Sequence, residues 1–139
     1  MTPNDTPMIL SVHPNFAWNI KFGKKKIELR KSDLPWQTST YELRRIFIYA
    51  TAPVQKVICE CVMKNIDRIQ IPPKAILNAA CINEEEFYEY RGKNAYLVAH
   101  EISSVRNLDR QYSIEEFGLT KAPQSYAYAK KIPEALQCR

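Results

Sequence analysis

The sequence has no long apolar run, no internal repeat, no low-complexity stretch and no linker-like segment. No run approaches the roughly 20 apolar residues that a membrane-spanning helix needs. The first residues lack the basic start of a secretion signal. Hydrophobic residues make up 45% of the chain and charged residues 25%, which is ordinary for a folded domain. We therefore expect a cytoplasmic protein in which residues 8–139 form a single domain after a flexible N-terminus at residues 1–7.

A zinc or redox motif is also missing. Cysteines stand at positions 59, 61, 81 and 138, and His13 and His100 are isolated from them and from each other. A tetrahedral zinc site needs a second Cys or His pair, which the sequence does not supply. Residues two apart on a strand share one face, so Cys59 and Cys61 are expected in an apolar row. We predict buried thiols, no metal site and no cofactor.

Acidic residues are scarce only in the first part of the chain. Residues 1–56 contain nine Lys and Arg against four Asp and Glu, whereas residues 57–139 contain eleven of each sign. The whole formal excess of +5 therefore lies in residues 1–56. It can form one basic surface that attracts phosphates, or a solvated lysine face, and charge alone leaves both interpretations open.

Apolar periodicity and turn residues predict an α+β fold. Strands are expected at residues 8–12, 24–31, 45–50, 54–65 and 94–103, with helices at 13–23, at 72–80 and from 83 onward. Residues 108–125 are expected to be rich in loops, and residues 128–136 to form a last helical turn. Strands with so few intervening helices indicate a small, mostly antiparallel barrel with helices at its openings.

The most informative segment is residues 23–30, which fits the pattern G-x-K-x-x-E-x-R through Gly23, Lys25, Glu28 and Arg30. Glu28 and Arg30 lie two apart on a predicted strand, so they share a face and can pair or contact a ligand together. Arg30 can fork onto a phosphate or a base edge, and Glu28 can accept from an amine. Lys25 alternates to the opposite face unless the chain curls where the strand starts. The alternative interpretation is a purely structural Glu28–Arg30 pair beside solvated lysines.

This motif is the one by which the ASCH family of the PUA-like superfamily is recognised. Residues 9–17, 48–54, 85–90 and 122–126 also resemble, in the same order, segments of bacterial and phage-type single-domain ASCH proteins. The resemblance extends over about residues 8–128. It implies a PUA-like, small mixed or antiparallel β-barrel with flanking helices. It further implies binding of single-stranded or structured RNA, or of a nucleotide-like ligand such as a modified nucleobase, in RNA metabolism or translation-linked regulation.

The candidate contact residues for such a ligand are Lys25, Glu28, Arg30, Lys31, Tyr49, Thr51, Lys93, Gln124 and Ser125. Tyr49 precedes a turn at Pro53, where an aromatic ring can stack on an unpaired base or can belong to the core. Lys93 stands in a basic turn. Gln124 and Ser125 offer uncharged hydrogen-bonding groups in a loop that the resemblance singles out.

Two alternative functions stay open. Some ASCH proteins resemble RNA-cleaving enzymes; in a small ribonuclease for single-stranded RNA, Lys25, Tyr49, Lys56 and Ser125 are the candidate catalytic groups, with or without a divalent metal. The resemblance also allows a transcription coregulator-type interaction protein, although the sequence has no DNA-reading module of its own.

An amidohydrolase activity is not expected. A subgroup of ASCH amidohydrolases acts on acylated cytidines with a Lys, a Thr nucleophile and a Glu. Lys25 matches the Lys, but Glu28 occupies the Thr position and no carboxylate stands near Ala80, where the acidic partner would fall.

Overall fold

A computed structural model describes residues 6–32 and 43–137 of the chain. The strands are β1 (Met8–Val12), β2 (Ile27–Arg30), β3 (Arg44–Ala50), β4 (Lys56–Ile69), β5 (Leu97–Tyr112) and β6 (Tyr126–Tyr128). The helices are α1 (Pro14–Lys21), α2 (Lys74–Ala80) and α3 (Glu84–Arg91), and short 3₁₀ turns cover Ile114–Phe117 and Glu134–Leu136. Residues 1–5 of the predicted flexible N-terminus, and Cys138, lie outside the described residues.

The strands form one six-stranded sheet in the order β2-β5-β4-β3-β1-β6. β1 and β3 are parallel, and the four other neighbouring pairs are antiparallel. The predicted class, an α+β fold with a small mixed sheet and flanking helices, is confirmed. None of the helices in the described parts of the chain is long and apolar enough to cross a membrane.

The sheet curls so that β2, at one edge, approaches β1, which is the fifth strand in the sheet order. Arg30 lies in β2 and Ser11 in β1, with three strands between them in the sheet order. In a flat sheet, four strand spacings of about 4.8 Å would put these residues roughly 19 Å apart. The guanidinium Nη2 of Arg30 nevertheless lies 2.9 Å from the carbonyl oxygen of Ser11. This closeness makes the sheet a half-barrel with a gap between β2 and β1.

The two faces of the sheet carry separate apolar clusters because side chains alternate along each strand. On the face that α1 covers, Leu10, Ile48 and Cys61 pack with Ile20 of the helix. On the opposite face, one cluster packs against the C-terminal part of the chain and another against α2 and α3. Glu28 and Arg30 point to the face that α1 covers, since their neighbours Ile27 and Leu29 belong to the cluster under α2 and α3.

Several details differ from the sequence predictions. Regular alternation in the predicted strand at 54–65 places Val57 on one face with Cys59 and Cys61, but it lies in the cluster of the opposite face. A register shift between Val57 and Cys59 separates them, because an extra residue reverses the alternation.

The C-terminal region differs too. β5 continues nine residues beyond the predicted end at Ser103, to Tyr112, so the start of the predicted loop is strand. The last helical turn covers only Glu134–Leu136, and Tyr128 belongs to a short strand instead. Both strands are rich in exposed polar or aromatic side chains, so their sequences lack an apolar stripe.

Candidate functional site

A cavity of about 580 Å³ opens between the start of α1, the strand β2 and the helix α3. Its walls are built by three separate parts of the chain. They are Ser11, Val12, His13 and Phe16 from β1 and α1; Lys25, Glu28, Leu29, Arg30 and Lys31 from the motif segment; and Ile82, Glu86, Glu89 and Tyr90 from α3 and its approach.

The motif segment reaches this cavity through a tight bend after α1. Gly23 has φ +78°, a backbone conformation that side-chain-bearing residues adopt only with strain. The next two amides, of Lys24 and Lys25, both donate to the carbonyl oxygen of Asn19 at 2.8 and 3.0 Å. β2 therefore begins only at Ile27, and Lys25 precedes it. This bend allows the Lys25 side chain to lie beside Glu28, so the regular alternation to the opposite face does not apply.

Glu28 stands between two cations. Its Oε1 lies 3.6 Å from Nζ of Lys25, and its Oε2 lies 2.9 Å from Nη2 of Arg30. Lys25 and Glu28 are only 3% and 7% exposed. A carboxylate buried to this degree is costly unless both of its oxygens are paired, and these two cations supply that pairing.

Lys25 has further partners deep in the wall. Its Nζ donates to the carbonyl oxygen of Ala80 at 2.6 Å and lies 4.7 Å from the centre of the Phe16 ring. Ala80 is the last residue of α2, where an unsatisfied carbonyl and the helix dipole both favour a cation. Burial lowers the pKa of Lys25 below its ordinary value, and the charge of Glu28 partly opposes that effect.

Arg30 closes the gap in the half-barrel and retains an unused donor. Its Nη2 donates to the carbonyl oxygen of Ser11 as well as pairing with Glu28. Its buried Nε has no hydrogen-bond partner among the described residues. An unsatisfied buried donor costs about 1–3 kcal/mol, so such a group favours an acceptor from a ligand or a water. The arrangement can present a donor from Arg30 beside the acceptor oxygens of Glu28.

The cavity walls are balanced in charge. Lys25, Arg30 and Lys31 face Glu28, Glu86 and Glu89. The positive charge that residues 1–56 bring to the cavity is offset there by Glu86 and Glu89 of α3. Walls with equal numbers of cations and carboxylates favour a polar but uncharged group over a phosphate.

Tyr90 stands at the mouth of the cavity and is 40% exposed. Nζ of Lys31 lies 4.9 Å from its ring centre. Burial raises the pKa of Tyr90 above its ordinary value. The ring supplies an aromatic surface at the entrance.

Tyr49 lies away from this cavity. It is 6% exposed and packs with Ile9, Phe47 and Phe117 on the opposite face of the sheet. Burial, with a smaller contribution from the charge of Glu115, raises its pKa. Thr51, Lys56 and Lys93 are also absent from the cavity lining; they lie in the turn after β3, at the start of β4 and in the turn after α3.

The loop with Gln124 and Ser125 meets the site through Ser11. The carbonyl oxygen of Ser125 accepts from the Ser11 amide at 2.9 Å, and Oγ of Ser11 donates to the carbonyl oxygen of Pro123 at 2.6 Å. Ser11 is the residue whose carbonyl Arg30 contacts. Neither Gln124 nor Ser125 lines the cavity, but their loop is hydrogen-bonded to Ser11, which does.

Of the predicted contact residues, the structure thus brings Lys25, Glu28, Arg30 and Lys31 together. Sequence reasoning missed Ser11, Phe16, Glu86, Glu89 and Tyr90 as wall residues. The segments 9–17 and 85–90 could have pointed to these residues, because both resemble segments of ASCH proteins. The sequence pattern of a single strand or helix, however, does not show that the two segments face each other.

One of the four candidate catalytic groups lines the cavity. Lys25 lines the cavity, whereas Tyr49, Lys56 and Ser125 do not. Across residues 6–32 and 43–137, no group of three or more His, Cys, Asp or Glu side chains is placed to hold a metal ion.

Comparison with known proteins identifies the fold. No family model and no curated protein matches the sequence. The chain is similar to crystal structures of the ASCH protein from Zymomonas mobilis, including one serine-to-alanine and one tyrosine-to-phenylalanine variant. The serine variant shares 24% identity with a TM-score of 0.74 over 94% of this chain and 92% of that one. The other two share 24% identity with TM-scores of 0.73, over 91% of this chain and 89% or 91% of theirs.

Proposed function

We propose that this chain, which has the ASCH fold, is a cytoplasmic binder of RNA or of a modified nucleobase, acting in RNA metabolism or translation-linked regulation. One base would enter the cavity beside Glu28 and Arg30. The observation that carries this proposal is the buried Nε of Arg30, which has no partner within the described part of the chain, next to the paired carboxylate of Glu28. The edge of a nucleobase offers acceptors and donors side by side, which match these two groups.

The size and charge of the cavity support a base rather than a phosphate. A volume of about 580 Å³ is typical of a small-molecule site. The balanced walls leave little net attraction for an anion, whereas exposed lysines such as Lys26 stand outside the cavity. In this proposal the cavity binds one base, and the RNA phosphates contact lysines outside the cavity.

A first prediction concerns the Arg30 side chain. The Arg30→Met variant removes the Nε donor and one charge, and we expect it to weaken binding of a ribonucleoside by about 10-fold to 100-fold, the effect of one lost charge-assisted hydrogen bond. Lys26→Met is the matched control, because it removes one positive charge from an exposed side chain of the same segment. Calorimetric titration with each of the four common ribonucleosides, and with N4-acetylcytidine, measures both variants.

The control should bind nucleosides as the parent does and lose only a little affinity for a single-stranded RNA hexamer at low salt. Equal nucleoside affinity of Arg30→Met and the parent would show that the base does not sit beside Arg30. Mass spectrometry of nucleosides that copurify with the parent identifies the natural ligand.

Binding is proposed ahead of cleavage because the candidate catalytic groups do not share one cavity. A time course of labelled RNA with and without a divalent metal distinguishes the two functions, since a binder leaves the RNA intact.

A further inference from the structure

Two half-exposed tyrosines stand on the last strand of the sheet. Tyr126 and Tyr128 are 37% and 42% exposed. They are two residues apart on β6, so both rings point to the same face, roughly 6.6 Å apart along the strand. Within residues 6–32 and 43–137, β6 is an edge strand that pairs with β1 alone. A pair of aromatic rings in this position is not explained by packing of the core.

The tyrosines lie on the same face of the sheet as the cavity motif. Tyr126 is opposite Leu10 and Tyr128 is opposite Met8, and directly opposed residues in an antiparallel pair share a face. Leu10 and Met8 belong to the cluster that α1 covers. Arg30 and Glu28 point to that same face from the other end of the curled sheet.

A short chain of contacts joins β6 to the cavity. Ser125, the residue before β6, accepts from the amide of Ser11, and the carbonyl of Ser11 accepts from Arg30. The N–H and C=O of one strand residue point to the same side, so Ser125 and Arg30 approach Ser11 from the same edge of β1. β6 therefore begins next to the gap into which Arg30 reaches.

The charge around β6 suits a phosphate backbone. Residues 121–131 contain Lys121, Lys130 and Lys131 and no Asp or Glu. All three lysines are exposed. Exposed aromatic rings flanked by lysines are the usual composition of a surface that binds single-stranded nucleic acid. A second copy of this chain paired along the same edge would instead bring like charges together.

We propose that β6 is a second subsite, where nucleotides that flank the base in the cavity stack on Tyr126 and Tyr128 while Lys121, Lys130 and Lys131 contact the phosphates. The ligand of the whole surface is then a single strand of RNA of several nucleotides rather than a free nucleoside. This inference rests on the proposed function, because it takes one base to be held beside Arg30.

The test compares a short and a long probe on three variants. The probes are the ribonucleosides and a single-stranded RNA hexamer. We expect the Tyr126→Ala/Tyr128→Ala double variant to bind ribonucleosides like the parent but the hexamer at least about tenfold more weakly, since one stacked base contributes about 1–3 kcal/mol. Tyr126→Phe/Tyr128→Phe retains the rings and should bind the hexamer like the parent. Phe22→Ala, which removes another exposed aromatic ring, should also leave hexamer binding unchanged.

Each other outcome is decisive. Parent-like hexamer binding by the double alanine variant, together with loss of nucleoside binding in Arg30→Met, overturns the second subsite and leaves the cavity proposal standing. A parent that binds neither probe overturns both. If size-exclusion chromatography shows a dimeric parent and a monomeric double alanine variant, the tyrosines form a contact between copies and the RNA subsite is wrong. Circular dichroism verifies that every variant is folded.

Discussion

Lys25 is a charged side chain kept inside the protein by three partners of different kinds. A carboxylate, a helix-terminal carbonyl and an aromatic ring surround its amine. Burial still disfavours the charged form, and this is why its pKa is lowered. Its role in the cavity is therefore to hold Glu28 in place, at a cost in stability that depends on pH.

The sign of that pH dependence gives a second prediction. The unfolded chain binds the Lys25 proton up to its ordinary pKa of 10.5, whereas the folded chain releases it at lower pH. Between the folded and unfolded pKa values of Lys25, the unfolded state binds more protons than the folded state. The free energy of unfolding therefore increases as the pH rises through this range. We expect the difference in this free energy between the parent and Lys25→Met to shift in favour of the parent as pH rises from neutrality towards 10.5.

Urea denaturation at a series of pH values measures this difference. Other groups that titrate in the range, such as buried tyrosines, are common to both chains and cancel. Lys26→Met, at an exposed position, should show no such slope. A flat difference for Lys25→Met would mean that the amine titrates normally in the folded protein.

Single-residue placement could be predicted only where the strand is regular. Glu28 and Arg30 share a face as alternation requires, because both lie within β2. Lys25 precedes β2, so alternation gives no valid position for it. The prediction of buried thiols is confirmed for Cys59 and Cys61, and burial raises the pKa of Cys59 to about 12, but Cys81 after α2 is only half-buried. Ser11 and Tyr90 were not predicted as cavity residues, because their proximity depends on the curl of the sheet and not on any local sequence pattern.

The elements that the sequence predicted best are those with specific end signals. α3 begins at a full capping box, in which the Asn83 side chain accepts from the Glu86 amide at 2.7 Å and the Glu86 carboxylate accepts from the Asn83 amide at 3.0 Å. The elements predicted worst are β5 and β6, whose exposed polar residues are held in strands by pairing with β4 and β1. Such pairing is a tertiary effect that outweighs local propensity.

A third prediction follows from the capping box. The Asn83→Ala variant leaves the Glu86 amide without its acceptor, and we expect a loss of about 1 kcal/mol in the free energy of unfolding. Asn83→Ser retains a capping oxygen and should stay within a few tenths of a kcal/mol of the parent. Urea denaturation measures both. Equal losses for the two variants would show that the cap does not stabilise α3. Because Glu86 also lines the cavity, nucleoside affinity of the alanine variant reports how far the cap positions that wall.

At the scale of the whole molecule, the curl of the sheet creates the cavity. Among the strands that the structure describes, β2 has one neighbour, β5, and its other side faces the gap that Arg30 crosses to reach β1. Arg45 forms a comparable connection elsewhere, because its Nη2 donates to the carbonyl oxygen of Leu136 at 2.7 Å while its Nε pairs with Glu60. Two arginines thus join parts of the fold that no strand pairing connects.

These connections lead to a fourth prediction. In Arg30→Lys the planar fork is lost, and amides of β2 should exchange with deuterium faster than in the parent, since an edge strand with fewer contacts opens more often. In the matched variant Arg45→Lys, faster exchange should appear around residues 134–136 and not in β2. Hydrogen exchange with mass spectrometry resolves the two regions. Unchanged exchange of β2 in Arg30→Lys would mean that the gap is held closed by other contacts.

The hydrogen bonds at Ser11 limit what a substitution at this position can disrupt. Two of its three hydrogen bonds, one to Ser125 and one from Arg30, use main-chain atoms, and only the bond to Pro123 uses the hydroxyl. A substitution at position 11 can therefore replace the side chain and leave the main-chain hydrogen bonds in place. Substitutions that keep a small side chain at position 11 therefore leave the loop joined to the arginine, whereas a larger side chain has little room there because Ser11 is only 7% exposed.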